Sequence, residues 1–140
     1  MNQVNLSFSA SLDNVNFSRS VLVGFLMNIN PDLNFINELK TVVSEAVTNC
    51  IIHGYNEDNE KLVFMNIKYD EENVYLEIID YGIGIEDIDK AKEPLFSSKL
   101  EEERAGLGFT IMEVFTDEMT IESKVNEGTK LKFKKRYKEN

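Results

Sequence analysis

The order in which apolar periodicity changes along the chain is the feature that most constrains its fold. Residues 4–10 alternate between apolar and polar side chains, which predicts a half-buried strand. Two helical patterns follow in succession, separated at Pro31. Alternation then returns, so that we expect strands over 62–69 and 74–80, a helix over 106–115, and strands over 119–125 and 129–137. This order predicts one α+β domain over residues 1–140, a two-layer α/β sandwich whose mostly antiparallel sheet carries helices on one face.

The two successive helices have predictable ends and faces. Asp13 is the expected N-cap of the first helix, and either Asp32 or Asn34 that of the second, which we expect to stop at Gly54. Apolar residues recurring at helical spacing define the expected buried faces: Phe17, Val21, Phe25 and Ile29 in the first helix, and Phe35, Leu39, Val42, Ala46 and Cys50 in the second.

Composition excludes several classes of function. The formal net charge of -10 disfavours nucleic acid or an anionic membrane as a direct partner. Cys50 is the only cysteine, so an internal disulfide and a cysteine-based zinc site are excluded. The first ten residues lack the pattern of a signal peptide, and no apolar run reaches membrane-spanning length, so we expect a cytoplasmic protein.

The last strand is rich in lysine. Its basic residues have a period of two, with Leu131, Phe133 and Tyr137 between them. A nucleic-acid surface is one interpretation. The spacing favours instead a strand with a lysine-rich outer face, which also discourages edge-to-edge aggregation.

Three polar residues at four-residue spacing, Glu45, Asn49 and His53, would form one stripe on the second helix. Such a stripe is often only a solvated helix face, but here apolar residues adjoin it, which favours the margin of a pocket. The amide oxygen of Asn49 is a ligand that Mg²⁺ accepts, and Glu45 could act as a general base beside it. His53, next to Gly54, is more typical of a structural histidine.

Glycine-rich segments supply the other candidate site residues. Asp80 ends a strand and precedes Gly82 and Gly84; its carboxylate can accept a hydrogen bond from the exocyclic amine of adenine. Gly106, Leu107 and Gly108 open a helix whose N–H groups suit phosphate. The segment 81–105 between them is long enough to be a functional lid. Further candidates each have a plain structural alternative, as surface charges or as part of a hairpin turn: Lys99, Arg104 and Thr129.

The order of these motifs resembles the Bergerat ATP-binding fold of the GHKL superfamily. Residues 41–55, 93–99 and 104–112 resemble more closely one family within it, the sporulation anti-sigma F factors, and the likeness extends over essentially the whole chain. The chain departs from the expected family pattern at Cys50, where a small alanine is anticipated.

The resemblance implies roles for the candidate residues. Asn49 would bind Mg²⁺, Glu45 would be the catalytic base, and the remaining site residues would bind ATP or ADP. The substrate would be a serine of an anti-anti-sigma protein, and a homodimer would sequester a sigma factor of the sigma F type. Arg19 matches an arginine that contacts the sigma factor. A binding switch without catalysis remains an alternative, whereas a histidine kinase fragment is disfavoured because no phosphoacceptor helix precedes the motifs.

Overall fold

The computed structural model describes residues 1–93 and 105–138. The predicted order of helices and strands is confirmed, with one short helix added inside segment 81–105 and a π-helical turn, Cys50–Gly54, directly after the second helix. The elements are β1 (Asn2–Ser9), α1 (Asn14–Leu26), α2 (Leu33–Asn49), β2 (Leu62–Tyr69), β3 (Asn73–Asp80), α3 (Ile88–Ala91), α4 (Ala105–Val114), β4 (Glu118–Lys124) and β5 (Gly128–Arg136).

The sheet has five strands in the order β1-β2-β3-β5-β4, and every neighbouring pair is antiparallel. Alternate residues of the strands point to the core, where helices α1 and α2 pack together and α4 packs against α2. The largest buried strand residues include Met65, Ile67, Leu76, Ile78 and Leu131. The predicted α+β class with a layer of helices is therefore confirmed.

Helix α2 forms as its sequence predicts. The Asp32 carboxylate accepts a hydrogen bond from the Phe35 N–H at 2.9 Å, which identifies Asp32 rather than Asn34 as the N-cap. All five apolar residues expected on the buried face are buried: Phe35, Leu39, Val42, Ala46 and Cys50.

Helix α1 differs from its prediction in two respects. Its fully buried residues are Ser18, Leu22 and Leu26, whereas Phe17 is 49% exposed. The other three residues of the expected face, Val21, Phe25 and Ile29, are half-buried and pack against the core as predicted. The most deeply buried stripe is the adjacent one, which includes Leu22 and Leu26. Asp13 has helical backbone angles and its side chain makes no capping hydrogen bond, because an N-cap residue needs an extended backbone.

The lysine-rich strand β5 lies inside the sheet, between β3 and β4. Its expected role in discouraging edge-to-edge aggregation is therefore wrong, since the edges are β1 and β4. The lysines form ion pairs with glutamates of β4 on the outer face, Lys132 with Glu122 at 3.4 Å and Lys134 with Glu118 at 3.3 Å. These pairs neutralise much of the basic face, which agrees with its interpretation as an ordinary outer strand surface.

No helix in the described parts of the chain is both long and apolar enough to cross a membrane.

Candidate nucleotide-binding site

Asp80 is the buried polar residue around which the site is built. It is the last residue of β3, pairs with Thr129 of β5, and is 2% exposed. One carboxylate oxygen accepts a hydrogen bond from the Gly82 N–H at 2.9 Å. The carboxyl group lies flat against Gly54, where an added Cβ would be only 2.7 Å from the carboxyl carbon. The end of β3 and the π-helical turn therefore meet at this carboxylate.

Burial raises the pKa of Asp80, because removal from water disfavours the charged form. The Gly82 N–H, the Cys50 thiol and the Thr129 backbone lower the pKa in the opposite direction without cancelling the effect of burial. Burial also raises the pKa of the Cys50 thiol, and the adjacent Asp80 charge raises it further. A buried carboxylate in this state gains most from a ligand that brings a hydrogen-bond donor.

The glycines of the site permit close approach between backbone segments. A Cβ at Gly82 would lie 1.9 Å from the Gly54 carbonyl oxygen. Gly84 and Gly128 both have positive φ, 75° and 110°, a conformation that glycine adopts without strain. Gly128 packs on the backbone of Asp80, so that the β4–β5 hairpin and the loop after β3 form one wall.

Glu45 and Gly108 come together from two different helices. The Oε2 atom of half-buried Glu45 lies 3.1 Å from the position that a Cβ would take at Gly108. Gly108 is in the first turn of α4, which also contains Gly106 and Leu107, and Leu107 is 36% exposed. The structure thus brings a carboxylate to the N-terminal turn of a helix, where backbone N–H groups favour a bound anion.

The three residues of the predicted polar stripe lie on two consecutive helical segments, Glu45 and Asn49 on α2 and His53 on the π-helical turn. Glu45 and Asn49 lie one turn apart on α2, and both are half-buried. The α-helical hydrogen bonding ends at Asn49, and the Tyr55 N–H bonds the Cys50 carbonyl five residues back at 2.9 Å. His53 lies within the π-helical turn and is half-buried, and its place on the stripe stays a prediction.

Thr129 is buried at the start of β5 and its hydroxyl lies 2.8 Å from that of Ser123. Ser123 also accepts the Ile85 N–H at 2.8 Å and donates to the Gly128 carbonyl at 3.0 Å, which ties the loop after β3 to the β4–β5 hairpin. Ser123 was not predicted as a residue of the site. The sequence offered one indication, because Ser123 is a hydroxyl residue on the side of β4 that is otherwise occupied by the apolar residues Met119 and Ile121.

Two site predictions, Lys99 and Arg104, lie outside the described residues, as do residues 94–104 of the expected lid. The part of the lid that is described contains α3, whose first turn is capped by Asp87 through the Lys90 N–H at 3.1 Å.

Comparison with known proteins gives the family of this chain. Residues 8–135 match the model of the histidine kinase-like ATPase domain. The anti-sigma F factor of Geobacillus thermodenitrificans is 48% identical over 96% of this chain and 92% of its own length. That of Lysinibacillus sphaericus is 43% identical over 97% and 93%. This chain belongs to the anti-sigma F factor family.

A solved structure agrees with the fold. The RsbU and RsbW domains of Rv1364c from Mycobacterium tuberculosis match the whole of this chain with a TM-score of 0.71 at 17% identity, and the match spans 34% of that longer chain. The resemblance predicted from the motifs is confirmed, and the histidine kinase-like ATPase domain implies that this family member binds a nucleotide.

Arg19 of this anti-sigma F factor relative is half-buried on α1. One guanidinium nitrogen, Nη1, donates to Asn16 Oδ1 at 3.4 Å. Its Nε is buried and has no hydrogen-bond partner among the described residues. A buried donor without a partner is costly, and an acceptor supplied from outside the chain would remove that cost.

Asn49 fits a magnesium role by chemistry, because its amide oxygen is a hard ligand and Glu45 lies one turn away. The described residues contain no cluster of three or more histidine, cysteine, aspartate or glutamate side chains able to hold a metal ion by themselves. Mg²⁺ is usually held by one or two protein oxygens together with waters and substrate phosphates.

Proposed function

We propose that this chain is an ATP-dependent serine kinase that also binds and inhibits a sigma factor of the sigma F type. Its kinase substrate is a serine of an anti-anti-sigma protein, and its working form is a homodimer of this single-domain chain. The observation that carries the proposal is the approach of the Glu45 carboxylate to Gly108 at the start of α4, where Oε2 lies 3.1 Å from the position that a Cβ would take. This approach places the carboxylate that we assign as the general base beside the helix N-terminus that we assign to the phosphates.

Adenine recognition belongs to Asp80 in this proposal. The exocyclic amine of adenine donates to the buried carboxylate and offsets the cost of burying its charge. Guanine has a carbonyl oxygen at the same position, which the carboxylate repels. Thr129 and the close approaches at Gly82 and Gly84 shape the surrounding pocket, within which Asp80 is 2% exposed.

Phosphoryl transfer takes place at the other end of the nucleotide. The phosphates lie at the N-terminal turn of α4, at Gly106, Leu107 and Gly108, and Lys99 and Arg104 neutralise their charge. Mg²⁺ held by Asn49 supplies charge neutralisation on the phosphate oxygens when it is bound.

The role of Glu45 is to accept a proton. The substrate serine oxygen bonds to the γ-phosphorus while the bond to the β–γ bridging oxygen breaks, ADP leaves, and Glu45 takes the hydroxyl proton. Because the phosphoryl group is transferred through a loose transition state, most of the rate enhancement comes from positioning and charge neutralisation.

The test is phosphorylation of a candidate anti-anti-sigma protein with labelled ATP and Mg²⁺, followed by detection of phosphoserine. Glu45→Gln should lower the transfer rate by about 100-fold or more, while ADP and sigma-factor affinities stay unchanged. The matched control is Glu38→Gln, on the same helix two turns earlier, where Glu38 pairs with Lys135 at 3.1 Å. It should transfer normally. Undiminished transfer by Glu45→Gln would refute Glu45 as the base. No phosphoserine with the unmodified protein would instead favour the alternative of a nucleotide-dependent binding switch without catalysis.

A further inference from the structure

The hydroxyl of Tyr55 joins three parts of the chain beside Asp80. Tyr55 directly follows the π-helical turn and is 8% exposed. Its hydroxyl donates a hydrogen bond to the Leu62 carbonyl at 2.6 Å, at the start of β2. The same oxygen accepts the N–H of Tyr81 at 2.8 Å. Both hydrogen-bonding functions of a buried phenol are thus used on backbone groups, one of which belongs to the residue following Asp80.

The three backbone N–H groups after Asp80 all have identified acceptors. The Tyr81 N–H bonds the Tyr55 hydroxyl, and the Gly82 N–H bonds the Asp80 carboxylate itself. The Ile83 N–H bonds the Gly54 carbonyl at 3.0 Å. Two of the three acceptors therefore belong to the end of the π-helical turn and the residue after it.

Side-chain burial contributes little to holding this loop. The side chains of Tyr81 and Ile83 are 65% and 60% exposed, and the ring of Tyr81 makes an edge contact with Phe64 at 5.4 Å. The path of the backbone after Asp80 consequently depends on its hydrogen bonds. The bond from the Tyr81 N–H to Tyr55 is the first of them along the chain after Asp80.

We propose that Tyr55 is a positioning residue for adenine recognition, whose hydroxyl fixes the backbone after Asp80 so that the carboxylate meets the exocyclic amine of the base. This inference rests on the proposed function, in which Asp80 binds adenine. Tyr55 touches neither the base nor the phosphates in this account and acts through Asp80 alone.

The proposal predicts an effect that is specific to one group of the ligand. Tyr55→Phe removes the hydroxyl and leaves the Tyr81 N–H and the Leu62 carbonyl without their partner. The carboxylate then loses its alignment with the amine. Contacts to the purine ring and the phosphates do not pass through Asp80, so a ligand without the amine is bound as before.

The experiment compares the affinities of ADP and purine riboside 5′-diphosphate, which lacks the 6-amino group, by titration calorimetry on the full chain. The unmodified protein should prefer ADP by about tenfold or more, the range expected for a hydrogen bond to a charged group. In Tyr55→Phe the preference should fall to about twofold or less, through weaker ADP binding and unchanged binding of the analogue.

Tyr137→Phe is the matched control. The Tyr137 hydroxyl is also half-buried and donates to a backbone carbonyl, that of Asp70 at 2.7 Å, at the opposite end of β3. This control should lose stability to a similar extent and keep the full preference for ADP.

Several outcomes would overturn the proposal. A Tyr55→Phe protein that keeps the preference of the unmodified chain, or one that loses both ligands equally, would leave Tyr55 with a structural role only. In the unmodified protein, rapid hydrogen exchange of the Tyr81 amide would contradict the bond directly, and this measurement holds even if the variant does not fold. The proposed role of Asp80 in binding adenine would be refuted separately, by an unmodified protein that binds ADP and purine riboside 5′-diphosphate equally well.

Discussion

Gly82→Ala tests the close approach between the loop after β3 and the π-helical turn. The new Cβ would lie 1.9 Å from the carbonyl oxygen of Gly54, and 2.5 Å from its carbon, whereas ordinary contact begins near 3.4 Å. Both atoms belong to the backbone, so no side chain can move aside. The loop or the turn must shift, and the bond from the Ile83 N–H to the same carbonyl is lost with it.

The expected cost follows from these two effects. Inserting a methyl group into a packed region costs about 1–3 kcal/mol, and the lost hydrogen bond adds about 1 kcal/mol. We expect the free energy of unfolding to fall by about 2–4 kcal/mol in the absence of nucleotide. ADP affinity should fall by at least about tenfold, because Asp80 is two residues away and its carboxylate accepts the Gly82 N–H.

The assay is urea unfolding followed by circular dichroism, with ADP affinity measured by calorimetry on the same preparations. Gly24→Ala is the matched control, since Gly24 lies within α1 and a Cβ there meets no atom within 4 Å. Alanine in a helix interior should stabilise the protein by about 0.5–1 kcal/mol and leave ADP affinity unchanged. The steric reasoning would be refuted if Gly82→Ala were as stable as the unmodified protein and bound ADP equally well.

Two further predictions concern a charge and a surface. The raised pKa of Asp80 means that the folded state binds a proton more readily than the unfolded state, so the ionised carboxylate lowers stability at neutral pH. This penalty begins to fall as the pH drops through the folded-state pKa, and it is gone below the unfolded-state pKa. Asp80→Asn should therefore raise the free energy of unfolding at pH 7 but not in acid. The same substitution should weaken ADP binding. Equal increases in the free energy of unfolding at both pH values, measured by urea unfolding, would contradict this prediction. Arg19→Ala should weaken sigma-factor binding by about tenfold or more in a surface-capture assay without altering ADP affinity, and unchanged sigma affinity would exclude Arg19 from that interface.

The sequence predicted most of the fold because its periodicities are local. In α2, the N-cap Asp32 and the five buried apolar residues all belong to one helix, so the sequence of that segment alone was enough to predict them. In α1 the predicted stripe packs against the core at Val21 and Phe25, but the neighbouring stripe at Leu22 and Leu26 is buried more deeply. Helical spacing allows both stripes, and only tertiary packing decides which is buried more deeply. The position of β5 between β3 and β4 depends on which strands pair with each other. The alternation of residues within a single strand does not predict that pairing.

The candidate site was predicted as a set of residue types rather than as an arrangement. Asp80 and its glycines were identifiable because a carboxylate at the end of a strand has a recognisable chemistry. The contact between Glu45 and Gly108 joins residues far apart in sequence. Tyr55 gave no signal, since its importance arises from two backbone groups at Leu62 and Tyr81 that the fold brings to one hydroxyl.

The π-helical turn also bears on how the family can change in length. A π turn holds one residue more than the α-helical turn it replaces, so a single deletion within Cys50–Gly54 would restore regular helix without disturbing the core that α2 buries. The deletion would rotate Gly54 and Tyr55 away from the loop after β3. We therefore expect related proteins to differ in length in the β2–β3 turn, residues 70–73, but not in the π-helical turn Cys50–Gly54. The number of residues in that turn determines where Gly54 and Tyr55 meet the loop after β3.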